Sequence, residues 1–133
     1  MQFALLLEDE PLQVKLITDL LKYQLGLAVK ATDSLDEALL LADESPALII
    51  SDISLEKPSG PDSKINKDGI IFSQRVKSNN KTKHIPLILR SSMPLAYFGA
   101  DLADVKADIF LDKNTSNTGL LNTIKNFGIA NLA

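Results

Sequence analysis

The chain alternates short apolar runs with longer segments in which apolar residues return at helical spacing. Five apolar runs predict β-strands, and each is followed by a segment with the period of an amphipathic helix. The predicted strands are residues 3–7, 27–31, 47–52, 87–89 and 109–111. Because crossovers between parallel strands are right-handed, this order predicts a three-layer α/β fold, with a five-stranded parallel sheet between two helical layers.

Capping residues mark several of the predicted helix ends. Pro11 suits the first turn of the first helix, which is expected to stop before Gly26. Ser34, followed three residues later by Glu37, forms a capping box that opens the second helix. A fourth helix is predicted from Pro94 to Leu102.

One connection is unusually long. Residues 53–68 are mostly polar and rich in proline, glycine and serine, and the Asp68-Gly69 turn then restarts the helical pattern. An ordinary strand-to-helix connection has about 2–6 residues, so this extended loop is predicted to be an insertion or a functional loop.

Length and composition exclude several classes of protein. The 133 residues fit one domain, 1–133, with 45% hydrophobic residues to form a core. A net charge of −3 gives no basic surface for nucleic acid, and the absence of cysteine excludes disulfides and thiolate chemistry. No apolar run approaches the ~20 residues of a membrane span, and no basic leader precedes the first acids. We therefore expect a cytoplasmic protein that binds neither nucleic acid nor membrane.

Chemically active side chains follow four of the predicted strands. Glu8 and Asp9 follow the first strand, Asp52 ends the third, Ser91 follows the fourth and Lys113 follows the fifth. Ligands of open α/β sheets bind outside the carboxyl ends of the strands, so these groups are expected to converge. Acids at strand ends can also serve only as helix caps, which is the structural alternative.

Three converging carboxylates repel one another unless a cation lies between them, and Mg²⁺ suits oxygen ligands. Asp52 is then a candidate nucleophile toward phosphorus. Lys113 supplies a counter-charge for phosphoryl oxygens, and the Ser91 hydroxyl supplies a hydrogen bond. Either Ser91 or the adjacent Ser92 could instead only cap the following turn.

With these residues in place, the chain resembles the receiver domain of two-component response regulators, the family of the chemotaxis response regulator. The Glu8-Asp9 pair is similar to the family's acidic pair, Asp52 to its phosphoacceptor, Ser91 to its Thr/Ser switch and Lys113 to its invariant lysine. Two secondary features also match the family, namely Pro86 before Ser91 and Asp68-Gly69 at the third helix. The resemblance implies the flavodoxin-like (βα)5 topology.

The resemblance also implies Mg²⁺-dependent transfer of a phosphoryl group to Asp52 from a histidine kinase or phosphotransfer protein. It assigns Asp9 to direct metal binding, Glu8 to binding through water and the Ser54 backbone carbonyl to the third protein ligand. Phe110 stands at the family's aromatic switch, although a plain core role is an equal alternative.

Output then goes to a downstream protein target through the face of the fourth helix, fifth strand and last helix, a face that also allows a homodimer. The chain is expected not to be an enzyme beyond self-phosphorylation and autodephosphorylation.

The sequence departs from the family at four places. The 53–68 loop is longer than usual, Asn114 replaces the proline after Lys113, Lys106 replaces a frequent glycine, and Arg90 stands where an apolar residue is usual. A non-proline cis bond costs about 2.5–4 kcal/mol, so a trans Lys113–Asn114 peptide is expected. The charged residues of the loop (Glu56, Lys57, Asp62 and Lys64) suggest a solvated lid, with Arg90 pairing with one of its acids.

Two other functions compete with the phosphoacceptor hypothesis. A degenerate receiver that acts only as a phosphorylation-independent interaction module is disfavoured because Asp52 and Lys113 are both present. A flavodoxin-like cofactor binder or a phosphatase is disfavoured because the first strand leads into the acids of segment 8–11, which would repel phosphate without a metal.

Overall fold

The computed structural model describes residues 2–55 and 66–129. Within them five strands alternate with five α-helices: β1 (Phe3–Leu7), α1 (Pro11–Leu25), β2 (Ala28–Thr32), α2 (Leu35–Ala42), β3 (Leu48–Asp52), α3 (Asp68–Ser78), β4 (Leu87–Ser91), α4 (Leu102–Val105), β5 (Ile109–Asp112) and α5 (Asn117–Asn126). All strand pairs are parallel, in the order β2-β1-β3-β4-β5. The predicted three-layer α/β fold is confirmed.

The sheet is covered on both faces, which explains why its central strands are continuous apolar runs. Successive strand side chains alternate between faces, so Leu5 and Ile49 join the core against α2, α3 and α4, while Leu6 and Ile50 join the core against α1 and α5. Every residue of β1, β3 and β4 is buried, whereas the edge strand β2 is mostly exposed.

The helix boundaries follow the capping signals at the first two helices. Gly26 adopts the left-handed conformation (φ 64°) that ends α1. The Ser34 hydroxyl accepts a hydrogen bond from the backbone N–H of Glu37 at 3.2 Å and so caps α2. Asp68 begins α3, as the Asp68-Gly69 signal predicts.

The fourth helix differs from its prediction. Residues 94–102 do not form one helix, because Leu95–Phe98 make a short 3-10 turn that ends at the left-handed Gly99 (φ 70°). The α-helix restarts only after Asp101, whose carboxylate forms a capping box with Asp104. The helical spacing of apolar residues continues across Gly99 in the sequence, but the backbone changes direction at this glycine.

Two of the departures from the family are accommodated locally. Lys106 takes the left-handed conformation (φ 61°) that favours glycine, and it ends α4. The Lys113–Asn114 peptide is trans, as expected, since the described residues contain no cis peptide.

The long connection begins later than its polar composition suggested, because Ile53 and Leu55 are fully buried in the core. None of the helices formed by the described residues is long and apolar enough to cross a membrane.

Candidate functional site

Three carboxylates meet at the carboxyl edge of the sheet. One oxygen each from Glu8, Asp9 and Asp52 lie within 4.8 Å of one another, as a metal-binding group requires. Glu8 and Asp52 are buried, with 3% and 7% of their surfaces exposed. Oε2 of Glu8 accepts hydrogen bonds from the backbone N–H groups of Asp9 (3.1 Å) and Glu10 (3.3 Å), so the turn after β1 fixes its orientation.

Lys113 binds two of these carboxylates from the segment after β5. Its Nζ lies 3.0 Å from Oδ2 of Asp52 and 3.1 Å from Oε1 of Glu8. Its backbone N–H donates to the carbonyl of Ser91 at 3.0 Å, which extends the β4–β5 pairing up to the site. The lysine predicted from the end of the fifth strand is therefore in direct contact with the candidate acceptor.

Burial and the charge of Glu8 disfavour the ionised forms of Asp9 and Asp52. Burial and the charge of Glu8 together raise the pKa of Asp52 to about 7, against the opposing effect of Lys113. Burial also raises the pKa of Asp9, and Glu8 adds to this rise. Burial lowers the pKa of Lys113, but the carboxylates of Asp52 and Glu8 outweigh it, so this pKa is raised overall. A site with these shifts favours an additional positive charge.

Ser91 is buried, and its Oγ accepts a hydrogen bond from the backbone N–H of Met93 at 3.0 Å. The turn-capping alternative is therefore present in the structure. It does not preclude a second role, because a hydroxyl that accepts one bond keeps its own proton to donate.

The two remaining predicted site residues are Phe110 and Ser54. Phe110 is half-buried on β5, packs against the core on the α2–α3–α4 side and pairs in register with Leu89. Ser54 is half-buried, two residues beyond Asp52.

Arg90 contacts the segment after β5, while its predicted pairing with an acid of the long loop lies outside the described residues. Its side chain is buried, and its Nη2 donates to the backbone carbonyl of Lys113 at 3.4 Å. Burial lowers the pKa of Arg90, while the charges of Glu8, Asp52 and Asp112 oppose that change. The loop acids and lysines proposed as a lid (Glu56, Lys57, Asp62 and Lys64) lie outside the described residues.

The start of α3 packs directly on the backbone of the candidate acceptor. A Cβ added to Gly69 would lie 1.8 Å from the carbonyl oxygen of Asp52, so only glycine fits there. The Gly69 N–H donates to the carbonyl of Ile53 at 2.9 Å.

Asn66, which sequence reasoning passed over, closes the ends of the long connection. Its Oδ1 accepts from the N–H groups of Leu55 (3.2 Å) and Asp68 (2.9 Å). The only sequence signal was an Asx residue two positions before a helix.

A parallel sheet with an acidic cluster, a lysine and a hydroxyl at its carboxyl edge defines a receiver-type signalling domain. The sequence profile of the response regulator receiver domain matches residues 4–125, and the chain belongs to this family. It is therefore a receiver domain of the kind used in two-component systems, and its acidic cluster is consistent with a phosphoaspartate site.

Solved structures with the same fold include three informative relatives. The receiver domain of a sensor histidine kinase from Pseudomonas aeruginosa PAO1, with magnesium coordinated in its active-site cleft, has a TM-score of 0.76 at 20% identity, covering 95% of this chain and 96% of that one. The chemotaxis response regulator CheY4 of Vibrio cholerae has a TM-score of 0.74 at 21% identity, covering 96% and 98%. A histidine-kinase receiver domain from Syntrophus aciditrophicus has a TM-score of 0.70 at 22% identity, covering 96% and 89%. No curated protein matches the sequence.

Proposed function

We propose that the chain accepts a phosphoryl group on Asp52 in a Mg²⁺-dependent reaction and thereby switches its contacts with other proteins. The observation that carries the proposal is the position of Asp52, which lies among two further carboxylates and 3.0 Å from the ammonium of Lys113. A degenerate receiver would have no need for this complete set of groups.

The donor set fits Mg²⁺, which takes oxygen ligands and retains several waters. Asp9 and Asp52 would hold the ion directly, with Glu8 acting through water and Ser54 through its backbone carbonyl. The fit rests on three carboxylate oxygens within 4.8 Å and on the raised pKa of Asp52. Mg²⁺, when bound, supplies positive charge for the phosphoryl oxygens. The magnesium in the P. aeruginosa relative supports this assignment.

The residues of this chain supply the rest of the chemistry. A carboxylate oxygen of Asp52 attacks the phosphorus of the donor, a new O–P bond forms, and the bond between phosphorus and the donor's leaving atom breaks. Lys113 moves with the charge from the Asp52 carboxylate to the bound phosphoryl oxygens. Ser91 donates its hydroxyl proton to one of them while still accepting from Met93.

The phosphodonor is proposed to be a histidine kinase or a phosphotransfer protein, as expected for a receiver domain. The chain itself contributes only self-phosphorylation and autodephosphorylation chemistry, so it acts as a signalling domain and not as a free-standing enzyme. Output passes to a downstream protein, or to a second copy of the chain, through the face of α4, β5 and α5.

The function is tested by incubating the protein with Mg²⁺ and acetyl phosphate and then measuring its intact mass. We expect a gain of about 80 Da, the mass of one phosphoryl group. This gain should not form when Mg²⁺ is chelated before acetyl phosphate is added. Asp52→Asn should abolish the gain. Asp19→Asn, an exposed carboxylate of α1 paired with Lys15, is the matched control and should keep it. A full gain in Asp52→Asn would refute the assignment.

A separate prediction concerns the output face formed by α4, β5 and α5. Adding beryllofluoride, a phosphoryl mimic, should shift backbone amide resonances across residues 91–115, since Ser91 and Phe110 both border the face. Asp52→Asn should show no such shifts under the same conditions. Shifts confined to the acidic pair and to residue 52 would exclude this output route.

A further inference from the structure

Arg90 is a buried basic residue on the strand next to the candidate acceptor. Asp52 and Arg90 are register partners across β3 and β4. Asp52 follows Ile50 by two positions and Arg90 follows Ile88 by two, and both isoleucines lie in the core on the α1 and α5 side. Because strand side chains alternate between faces, Asp52 and Arg90 project from the same side of the sheet.

Arg90 contacts the site through a hydrogen bond to a backbone carbonyl, and within the described part of the chain it forms no ion pair with an acid. It is 6% exposed, and its Nη2 donates to the carbonyl of Lys113, the residue whose ammonium binds Asp52 and Glu8. Among the residues that the structure describes, no carboxylate oxygen lies within ion-pair distance of its guanidinium. Its charge acts on Glu8 and Asp52 of the cluster and on Asp112 at the end of β5.

This arrangement changes the charge balance at the metal-binding edge. Three carboxylates face two cations, Lys113 and Arg90, and the guanidinium stays protonated at every physiological pH. A fixed positive charge beside an acidic cluster repels an incoming divalent cation. The same charge attracts a phosphoryl group, which brings negative charge to Asp52.

We propose that Arg90 is a second cationic residue of the phosphoacceptor site and that its charge lowers the affinity of the unphosphorylated protein for Mg²⁺. The proposal rests on the proposed function, because it assumes that the acidic cluster binds Mg²⁺. It assigns to this chain a built-in counter-charge at the position where an apolar residue is usual in the family that the sequence resembles.

Calorimetric titration with Mg²⁺ tests the proposal on the full chain and three variants. Arg90→Met removes the charge and keeps a long apolar side chain, which a buried position accepts readily. Arg90→Lys keeps the charge. Arg75→Met is the matched control, because Arg75 is the only other arginine of the chain and is exposed in the last turn of α3.

We expect Arg90→Met to bind Mg²⁺ about three- to tenfold more tightly than the unmodified protein, the scale of a unit charge acting on a divalent ion across partly solvated side chains. Arg90→Lys and Arg75→Met should stay within about twofold of the unmodified protein, since one keeps the local charge and the other removes only a distant one. Tighter binding is diagnostic, because a damaged site would bind more weakly.

Four outcomes overturn the proposal. Unchanged or weaker binding in Arg90→Met shows that the arginine acts only through packing or the hydrogen bond to Lys113. Equal tightening in Arg75→Met shows an effect of net charge alone. Absence of Mg²⁺ binding in both the unmodified protein and Arg90→Met refutes the metal site itself, and with it the proposed function. If Arg90→Met does not fold, an altered affinity in Arg90→Lys decides against the charge-based role.

Discussion

Replacing Asp52 by asparagine is expected to stabilise the fold by about 2–4 kcal/mol at pH 8 in the absence of divalent cations. Burial and the charge of Glu8 raise the pKa of Asp52 from 3.8 to about 7, so the folded protein holds its ionised form at a cost. A rise of one in pKa corresponds to about 1.4 kcal/mol, so the rise to about 7 sets the upper end of this range. Asparagine removes the charge and keeps the shape of the side chain.

The pH dependence carries a definite sign. Because the folded-state pKa of Asp52 lies above its unfolded value, the folded state binds the proton more tightly between pH 3.8 and about 7. This contribution to stability is fully present below about pH 4 and is lost as the pH rises through about 7. Urea unfolding at pH 5 and pH 8 with a chelator measures this contribution. The difference in the free energy of unfolding between Asp52→Asn and the unmodified protein should be larger at pH 8.

Mg²⁺ provides the internal control for this result. A cation that binds only the folded state stabilises it by mass action, so saturating Mg²⁺ should narrow the gap at pH 8. Asp19→Asn removes an exposed carboxylate and should change stability by less than about 1 kcal/mol at either pH. A less stable Asp52→Asn at pH 8 without metal would show that the ion pair with Lys113 outweighs the cost of burial.

Replacing Gly69 by alanine is expected to destabilise the protein by about 3 kcal/mol or more and to impair phosphorylation. The new Cβ would lie 1.8 Å from the carbonyl oxygen of Asp52 and 2.7 Å from the Cα of Ile53, and both are backbone atoms that cannot rotate away. The start of α3 must therefore move off the end of β3, which costs packing around the acceptor. Thermal and urea unfolding measure the first effect, and the acetyl phosphate assay measures the second.

Gly119→Ala is the matched control, since it makes the same change in the first turn of another helix. Its Cβ would meet only side-chain atoms, namely the Thr115 methyl at 2.9 Å, which can rotate away, and Oγ of the N-cap Ser116 at 3.3 Å, which needs to shift by only a few tenths of an ångström. Alanine also favours the helix by up to about 1 kcal/mol, so the two effects should nearly cancel. Equal losses in the two variants would mean that the contact between α3 and Asp52 does not support the site.

The architecture could be predicted from the sequence because its signals are local. A central strand buried on both faces reads as a continuous apolar run, which is why residues 48–52 were identified within one residue of the observed β3. The topology then followed from alternation and handedness alone. The prediction of the fourth helix was wrong because the helical spacing of its apolar residues spans Gly99. The sequence does not show that this glycine takes a left-handed conformation.

The site was predictable for a related reason, since parallel strands end at one edge and bring Glu8, Asp9, Asp52 and Lys113 together. Distances and burial were not predictable. Whether Lys113 contacts one carboxylate or two depends on how the segment after β5 is held, and that depends on tertiary contacts. The buried position of Arg90 was not predicted, although the strand alternation directs its side chain inward. Its predicted pairing with a loop acid involves residues outside the described ranges.

The central claim, that Asp52 carries the phosphoryl group, is tested most directly by locating that group chemically. Borohydride reduces an acyl phosphate to an alcohol with loss of phosphate, so a phosphorylated aspartate becomes homoserine, which peptide mass spectrometry locates. After treatment with Mg²⁺ and acetyl phosphate, we expect homoserine at position 52 and at no other aspartate. Homoserine at Asp9 or Asp112, or a mass gain that borohydride does not remove, would contradict the account.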